Sequence, residues 1–203
     1  MYQATLFTAP PDRPCRFDDL HRIELSDGAW LEVARGWLPG ADDVFDVLVR
    51  EVPWRAERRR MFDRVVDVPR LACTYGAGEP LPHPGLVEAR DALGDHYRDV
   101  LGEPFVTAGC CYYRDGRDSV AWHGDRIGRG RHRDTLVAIV SLGAPRHLAL
   151  RPRRGGRSRR VELGHGDLLV MGGSCQRTWD HAVPKAAAAG PRLSVQFRPA
   201  GVF

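Results

Sequence analysis

Hydrophobic and polar residues alternate strictly near the end of the chain. In residues 192–198 the even-numbered positions are Arg, Ser, Gln and Arg, whereas the odd-numbered positions are Leu, Val and Phe. Because successive side chains of a strand point to opposite faces, this pattern predicts a strand with one core face and one polar face. A polar face turned inward is costly unless it binds something. The pattern therefore indicates either a ligand site or an edge strand whose arginines lie in water.

The first half of the chain has a mixed pattern. Residues 30–33 predict a strand, and residues 42–52 predict a short helix that begins at two aspartates. Residues 84–101 predict the longest helix, because Leu86, Leu93, Tyr97 and Val100 fall on one helical face. The charged segment 55–62 follows neither period, so we predict an irregular segment that forms part of a lid.

From residue 105 onward, short apolar runs are separated by glycine and proline turns. These runs predict strands at 105–113, 135–142, 147–150, 161–163, 168–171, 177–183 and 192–198. Helices and a lid followed by strands predict an α+β fold, a double-stranded β-helix (jelly roll) with N-terminal helices.

Composition sets outer limits on the kind of protein. A chain of 203 residues with 43% hydrophobic content can bury one full core. It contains no apolar run long enough to span a bilayer and no signal-peptide pattern, so we expect a soluble, cytoplasmic monomer without a membrane partner. Five cysteines without a Cys-x-x-Cys pair argue against a zinc ribbon and against a disulfide framework.

Positive charge is concentrated in one segment. Residues 126–160 hold eleven arginines and one acidic residue, although the whole chain carries only +4. Such asymmetry is typical of a surface that a polyanion approaches. Two simpler explanations stay open, because the chain uses arginine almost to the exclusion of lysine and because part of the segment resembles an exposed hairpin tip.

Histidine precedes aspartate by two positions at three places: His123/Asp125, His132/Asp134 and His165/Asp167. The second pair lies in a Gly/Arg loop, and the third lies in a turn before an apolar strand. The first pair leaves room for several strands before His181, and a jelly roll can bring an early and a late strand end together. Two imidazoles and one carboxylate on one face of a metal are typical of non-haem Fe(II) oxygenases. The guanidinium of Arg192 suits a dicarboxylate cosubstrate.

Several ordered motifs resemble the AlkB-type Fe(II)/2-oxoglutarate dioxygenases. The resemblance covers most of the chain and is strongest at residues 105–199. Its matching pieces are Tyr113-Arg-Asp-Gly116, Trp122-His-Gly-Asp125, Val140-Ser-Leu-Gly-Ala144, Leu163-Gly-His-Gly-Asp-Leu-Leu169, Trp179-Asp-His-Ala-Val-Pro184 and Arg192-x-Ser-x-x-Phe-Arg198. Upstream, Val52-Pro-Trp54, Pro69-Arg70-Leu71 and Tyr75-Gly76 resemble the family's nucleotide-recognition lid.

The resemblance implies a set of site residues. Iron would be held by the catalytic triad His123, Asp125 and His181. The cosubstrate 2-oxoglutarate would be held by Arg192, with Tyr113, Ser194 and Arg198 lining its pocket. We assign substrate binding to the following four residues: Trp54, Arg70, Tyr75 and Arg126.

The resemblance also implies an organisation and an activity. Residues 1–203 would form a single catalytic domain, with N-terminal helices and the nucleotide-recognition lid in 1–103 and the jelly-roll core in 104–203. The expected reaction is oxidative dealkylation of alkylated bases in DNA or RNA, single-stranded or flipped from a duplex, with release of formaldehyde, succinate and CO2.

The chain departs from the family at two positions. Cys111 stands where many relatives carry Asn, and a thiol is the poorer hydrogen-bond partner. Asp125 is followed by Arg126, Ile127 and Gly128, without the acidic residue by which repair enzymes often read a base. An oxygenase acting on a protein or small molecule therefore stays an alternative, as does a non-catalytic nucleic-acid-binding module. We expect Trp122, which alternates with His123, to point away from the metal and to pack.

Overall fold

Two antiparallel sheets form the framework of the protein. The computed structural model describes residues 15–61, 64–125 and 128–202, with the backbone alone described within 57–67. The strands are β1 (His21–Glu24), β2 (Ala29–Ala34), β3 (Arg55–Met61), β4 (Arg64–Tyr75), β5 (Phe105–Tyr113), β6 (Val120–His123), β7 (Val137–Gly143), β8 (Arg146–Pro152), β9 (Arg159–Leu163), β10 (Asp167–Gly173), β11 (Trp179–Val183) and β12 (Arg192–Pro199). The helices are α1 (Ala41–Glu51), α2 (Pro84–His96), α3 (Arg98–Leu101) and α4 (Cys175–Thr178).

The larger sheet has eight strands in the order β1-β2-β10-β7-β12-β5-β4-β3, and the smaller has four in the order β6-β11-β8-β9. One apolar cluster lies between the larger sheet and the helices, where Leu48 and Leu93 pack with Phe197. A second cluster lies between the two sheets and joins Ile139 to Leu150. Two facing sheets with helices outside the larger one confirm the predicted jelly roll.

Residues 192–198 occupy a central strand, because β12 pairs with β7 on one side and with β5 on the other. The alternative of an edge strand is therefore wrong. Its apolar residues Leu193, Val195 and Phe197 belong to the cluster on the helix side. Its polar residues consequently face the space between the sheets, where water is largely excluded and their polar groups need partners.

The predicted lid contains regular structure. Residues 55–62 were predicted to be irregular, but Arg55–Met61 forms the edge strand β3, which pairs with β4. Phe62 lies outside the described residues. This strand is formed by backbone hydrogen bonds to β4. Such bonds do not require apolar side chains at alternate positions, so the sequence of the segment shows no strand period. The predicted division between residues 103 and 104 does not separate two sheets. Strands β2 and β4 precede it, yet β2 pairs with β10 and β4 pairs with β5 in the larger sheet.

Residues 84–101 form two helices rather than one. The first ends before Tyr97, whose backbone is not helical (φ −97°, ψ 12°). The ring of Tyr97 is buried, and its hydroxyl donates a hydrogen bond of 2.5 Å to Glu32 of β2. This tertiary contact, together with the break, leaves Val100 66% exposed instead of on the core face. Similarly, residue 177 belongs to α4, and strand β11 begins only at Trp179.

Within the described residues, no helix is both long and apolar enough to cross a membrane.

Candidate metal and cosubstrate site

The two sheets bring His123, Asp125 and His181 together. His181 on β11 stands directly opposite His123 on the edge strand β6, and their ring centroids are 4.2 Å apart. Asp125 follows two residues after His123, and one ligand atom from each residue lies within 4.8 Å of the others. Asp125 and His181 are buried, whereas the side chain of His123 is 42% exposed. The cluster therefore has one accessible side, as a metal that must also bind reactants requires.

The two imidazoles are oriented for metal binding. Nδ1 of His123 lies 2.9 Å from the carbonyl of Ala121, which can only accept, so the tautomer with its proton on Nδ1 leaves Nε2 as the ligand atom. Burial, and after it the neighbouring His123, lower the pKa of His181 from 6.5 to about 4. His181 is therefore neutral near pH 7, the form in which imidazole binds a metal.

Asp125 is held by two neighbours. Arg198 donates a hydrogen bond of 2.9 Å from Nε to Oδ2 of Asp125, and the backbone N–H of Asp125 donates to Oε1 of Gln176 at 3.3 Å. Burial alone would raise the pKa of Asp125, but the positive charge and the hydrogen bond of Arg198, with the nearby histidines, outweigh it and hold that pKa below its ordinary value. The carboxylate is thus ionised and oriented, with Oδ1 lying 3.9 Å from Nε2 of His123.

Arg192 carries the most deeply buried charge of the site. It is only 2% exposed, and its Nε donates to Oγ of Ser141 at 3.1 Å. Its Nη1 is buried without a hydrogen-bond partner among the described residues. The guanidinium lies 5.0 Å from the ring centroid of Tyr113, whose pKa is raised to about 12 chiefly by burial. The tyrosine hydroxyl is therefore protonated and available as a donor beside Ser194.

These residues fit a dicarboxylate. A buried guanidinium with an unpaired nitrogen costs free energy until an anion accepts from it. Hydroxyl groups from three strands lie near it, because Tyr113 on β5 is the register partner of Arg192 itself, and Ser141 on β7 is the register partner of Ser194 on β12. An anionic group bound there would receive charge-assisted and neutral hydrogen bonds together. The sequence missed Ser141, although a lone polar residue inside an otherwise apolar strand is a visible signal.

Cys111 lies on the same inner face. Its Sγ accepts a hydrogen bond from Nε of Arg70 at 3.3 Å, and it lies 3.9 Å from Oε1 of Gln196. Gln196 in turn donates to Oγ of Ser194 at 2.6 Å. Arg70, which we assign to the substrate from the sequence, therefore lies beside Cys111 and Gln196, on the inner face that also carries Ser194.

Arg146 is a buried cation that the sequence did not reveal. It is 3% exposed and donates to three backbone carbonyls, those of Asp115, Asp118 and Pro184, at 2.7–3.2 Å. Its guanidinium lies 5.6 Å from the ring centroid of Tyr113. Arg146 thereby ties the loop after β5 to the end of β11, the strand that carries His181, and adds positive charge beside the pocket.

The other predicted substrate residues are not brought to the cluster. Trp54 packs on the helix side, with its ring centroid 5.4 Å from that of Tyr112. Tyr75 pairs with Ala108 and packs against the same apolar cluster, so it lies on the helix side of the larger sheet and not on the side that faces the His-Asp-His cluster. Arg126 lies outside the described residues. The structure therefore gives Trp54 and Tyr75 packing roles and leaves their assignment to the substrate without geometric support.

The two remaining His-x-Asp pairs have other uses. Nδ1 of His165 accepts from the backbone of Gly143 at 2.9 Å, and Asp167 accepts from two backbone N–H groups and from an arginine. Asp134 forms an ion pair with Arg177. Neither pair belongs to a cluster of possible metal ligands among the described residues.

Trp122 is more exposed than expected. Its ring points away from the cluster as predicted, but it is 40% exposed instead of packed in the core. The guanidinium of Arg151 lies 4.5 Å from its ring centroid. An aromatic ring stacked with a cation thus lies on the surface, one residue from His123.

Comparison with known proteins gives a consistent result. A family model described as the 2OG-Fe(II) oxygenase superfamily matches residues 39–198. Human alpha-ketoglutarate-dependent dioxygenase alkB homolog 3 is 32% identical over 226 residues, which cover 97% of this chain and 76% of the human protein. The bovine protein of the same name is 34% identical over 79% of this chain, which spans 62% of the bovine protein.

A second group of relatives carries a different name. Human DNA oxidative demethylase ALKBH2 is 30% identical over 78% of this chain and 68% of its own length. Among solved structures, the structure of OsALKBH1 matches with a TM-score of 0.58 and 16% identity, covering 88% of this chain and 100% of that chain. At this identity the structural likeness concerns the fold.

Proposed function

The chain belongs to the 2OG-Fe(II) oxygenase superfamily as an AlkB-type Fe(II)/2-oxoglutarate-dependent dioxygenase, and from this premise we propose that it oxidatively dealkylates alkylated bases in nucleic acid. DNA is the first substrate to test and RNA the second. The products would be formaldehyde, succinate and CO2. One observation carries the proposal: a His-Asp-His cluster with an accessible side and a buried arginine, whose Nη1 lacks a partner among the described residues, both line the space between the two sheets.

Each predicted residue has a distinct task. His123, Asp125 and His181 would hold Fe(II), and Arg192 would pair with the distal carboxylate of 2-oxoglutarate through its unpaired Nη1. The hydroxyl of Tyr113, protonated because burial raises its pKa to about 12, would donate to the same anion. Iron with its cosubstrate and O2 supplies the oxidation of the alkyl carbon next to a base nitrogen, after which the alkyl group leaves as an aldehyde.

The protein environment favours this chemistry in two further ways. Arg192, Arg146 and Arg198 place positive charge around the cavity, which attracts a dianionic cosubstrate into a region where apolar side chains exclude water. Arg198 keeps Asp125 ionised and oriented before a metal arrives. Because a target base is stacked inside a duplex, the base must be flipped or already single-stranded to reach the accessible side of the cluster.

Nucleic acid is favoured as the substrate by the relatives and by charge. The ALKBH2 relatives are named as DNA oxidative demethylases. The described arginines of the turn between β8 and β9 are exposed, as phosphate contacts require. If the substrate were a protein or a small molecule, neither the names of these relatives nor the exposed arginines would be explained.

The test measures products directly. The protein is loaded anaerobically with Fe(II) and 2-oxoglutarate and then exposed to air with single-stranded oligonucleotides, N-methylated or plain, in DNA and RNA forms. Formaldehyde and succinate are followed for the wild type, for His181→Ala, and for His147→Ala as a matched control. His147 is an exposed histidine on β8 whose nearest carboxylate, that of Glu162, lies 3.7 Å away.

Formaldehyde formed only with the methylated strand, lost in His181→Ala and kept in His147→Ala, is the expected result. Succinate without formaldehyde on every oligonucleotide would move the substrate to another class. No succinate under any condition would contradict the assignment of the metal and cosubstrate residues.

A further inference from the structure

Four basic side chains line a cleft of about 440 Å³ outside the metal cluster. They are Arg131, His132, Arg153 and Arg177, and we call this the arginine cleft. Its volume corresponds to roughly fifteen water molecules at ~30 Å³ each, so a phosphate group fits with some of its hydration shell. None of these residues contributes to the metal or cosubstrate residues described above.

Three separate elements carry the arginines of the arginine cleft. Arg131 ends a short 3-10 turn (Arg129–Arg131), Arg153 begins the turn after β8, and Arg177 lies in α4. The backbone N–H of Arg153 donates to the carbonyl of Thr178 at 2.9 Å, and its Nη1 donates to the carbonyl of Arg177 at 3.2 Å. The backbone of Arg129 donates to that of Gly201 at 2.8 Å. The cations are thus positioned by the backbone before any ligand binds.

The arginine cleft adjoins the loop that carries the metal carboxylate. Gln176, next to Arg177, accepts from the backbone N–H of Asp125 at 3.3 Å. On the other wall, a methyl group at Gly130 would lie only 2.6 Å from the carbonyl oxygen of Asp125, which shows how closely the 3-10 turn approaches this loop. Through these two contacts the arginine cleft and the candidate metal cluster share the Asp125 loop as a common wall.

Acidic residues neutralise the arginine cleft only in part. Arg177 pairs with Asp134, and Nε of Arg153 lies 3.8 Å from Asp180. No ion pair joins Arg131 to a carboxylate within the described part of the chain. Nε of Arg177 is buried and likewise has no acceptor among the described residues. Guanidinium groups gathered in this way repel one another, and an anion that accepts from several of them relieves the repulsion.

We propose that the arginine cleft binds a backbone phosphodiester of the nucleic-acid strand whose base is presented to the metal cluster. This inference rests on the proposed function, because it presumes a nucleic-acid substrate. It adds a site on the far side of the Asp125 loop that sets the position of the strand. Phosphate contacts fix register without reading sequence, so the arginine cleft would act equally on every sequence.

Binding of an unmodified oligonucleotide tests the proposal independently of turnover. Fluorescence anisotropy with a labelled single strand of mixed sequence is measured from 50 to 300 mM salt. The variant Arg131→Gln/Arg153→Gln is compared with Arg16→Gln/Arg50→Gln, which removes the same charge from exposed positions on the helix side. Thermal unfolding of each variant verifies that it is folded. Inorganic phosphate is titrated in parallel by calorimetry.

The expected result is about tenfold weaker binding for Arg131→Gln/Arg153→Gln, with the slope of log K against log salt reduced by about 0.7 for the lost phosphate. The control should bind like the wild type. Equal loss in both variants, or loss in neither, would overturn the proposal. So would removal of inorganic phosphate binding without any change in oligonucleotide binding, because the arginine cleft would then serve a free anion.

The same data separate this proposal from the proposed function. If strand binding depends on the arginine cleft but the protein releases no formaldehyde from methylated strands, the proposed phosphate site is supported and dealkylation is contradicted. Formaldehyde release with strand binding that is indifferent to Arg131 and Arg153 would do the reverse.

Discussion

Arg198 donates a hydrogen bond of 2.9 Å from Nε to Oδ2 of Asp125. The family resemblance assigns this arginine to the cosubstrate pocket, but its side chain contacts a candidate metal ligand. The bond is charge-assisted and largely shielded from water, since the side chains of Arg198 and Asp125 are 17% and 6% exposed. It fixes which carboxylate oxygen turns toward the histidines.

Arg198→Gln should weaken metal binding, because the carboxylate loses the partner that orients it and keeps it ionised. Partners of this kind typically contribute about 10–100-fold to metal affinity. Titration with Fe(II) under anaerobic conditions, or with Mn²⁺ as a redox-stable substitute, measures the change. Arg50→Gln on α1 is the charge-matched control. Unchanged metal affinity with a raised KM for 2-oxoglutarate would return Arg198 to the cosubstrate pocket.

Arg192→Met should abolish binding of 2-oxoglutarate without destabilising the protein. The buried guanidinium has an unpaired Nη1 among the described residues, so replacing it by an apolar side chain of similar length removes a desolvation cost. Loss of the carboxylate's partner should weaken cosubstrate binding by about 2–5 kcal/mol. We expect 2-oxoglutarate with Mn²⁺ to raise the thermal unfolding midpoint of the wild type, and to leave that of Arg192→Met unchanged. A variant still stabilised by 2-oxoglutarate would show that the anion binds elsewhere.

Cys111→Asn should lower the KM for 2-oxoglutarate several-fold. The thiol at 3.3 Å is a weak acceptor for Arg70, whereas an amide offers an oxygen to that arginine and an N–H₂ group to an anion. Cys110→Ala provides the control, because the neighbouring residue belongs to the apolar cluster on the opposite face of β5. Steady-state kinetics of succinate formation report the result. An equal effect of both variants would indicate altered packing of β5 instead of a changed contact.

Asp118→Asn should destabilise the protein in a pH-dependent manner. Hydrogen bonds from Arg114, first through its side chain and then through its backbone, lower the pKa of Asp118 below 3.8. A lowered carboxyl pKa contributes stability above the unfolded value and loses it as the pH falls through the folded value. The variant should therefore cost about 1–3 kcal/mol of unfolding free energy at pH 7, and much less below pH 3.

Urea unfolding at both pH values measures the effect of Asp118→Asn. The control is Asp115→Asn, an ion-paired aspartate in the same loop whose side chain is 38% exposed. Surface pairs contribute little, so its effect should stay small at both pH values. A penalty for Asp118→Asn that does not change with pH would indicate lost packing instead of a lost charge.

Local periodicity determined much of this fold. The alternation in residues 192–198 is enough to place Leu193 and Phe197 in a core and Arg192 and Arg198 on a polar face, because the pleat of a strand imposes a period of two. The spacing of His123, Asp125 and His181 likewise requires only that an early and a late strand end meet. The local context of the three His-x-Asp pairs and their distance from His181 therefore sufficed to select His123/Asp125.

Register and long-range contacts decided the rest. A shift of one residue moves a side chain to the other face of a sheet, and only the pairing of β4 with β5 places Tyr75 among apolar side chains while Arg70 faces the cosubstrate residues. Similarly, the bond from Tyr97 to Glu32 accompanies a break that helical periodicity does not show. Such contacts join residues far apart along the chain, and their free energy depends on the packed structure instead of on the local sequence.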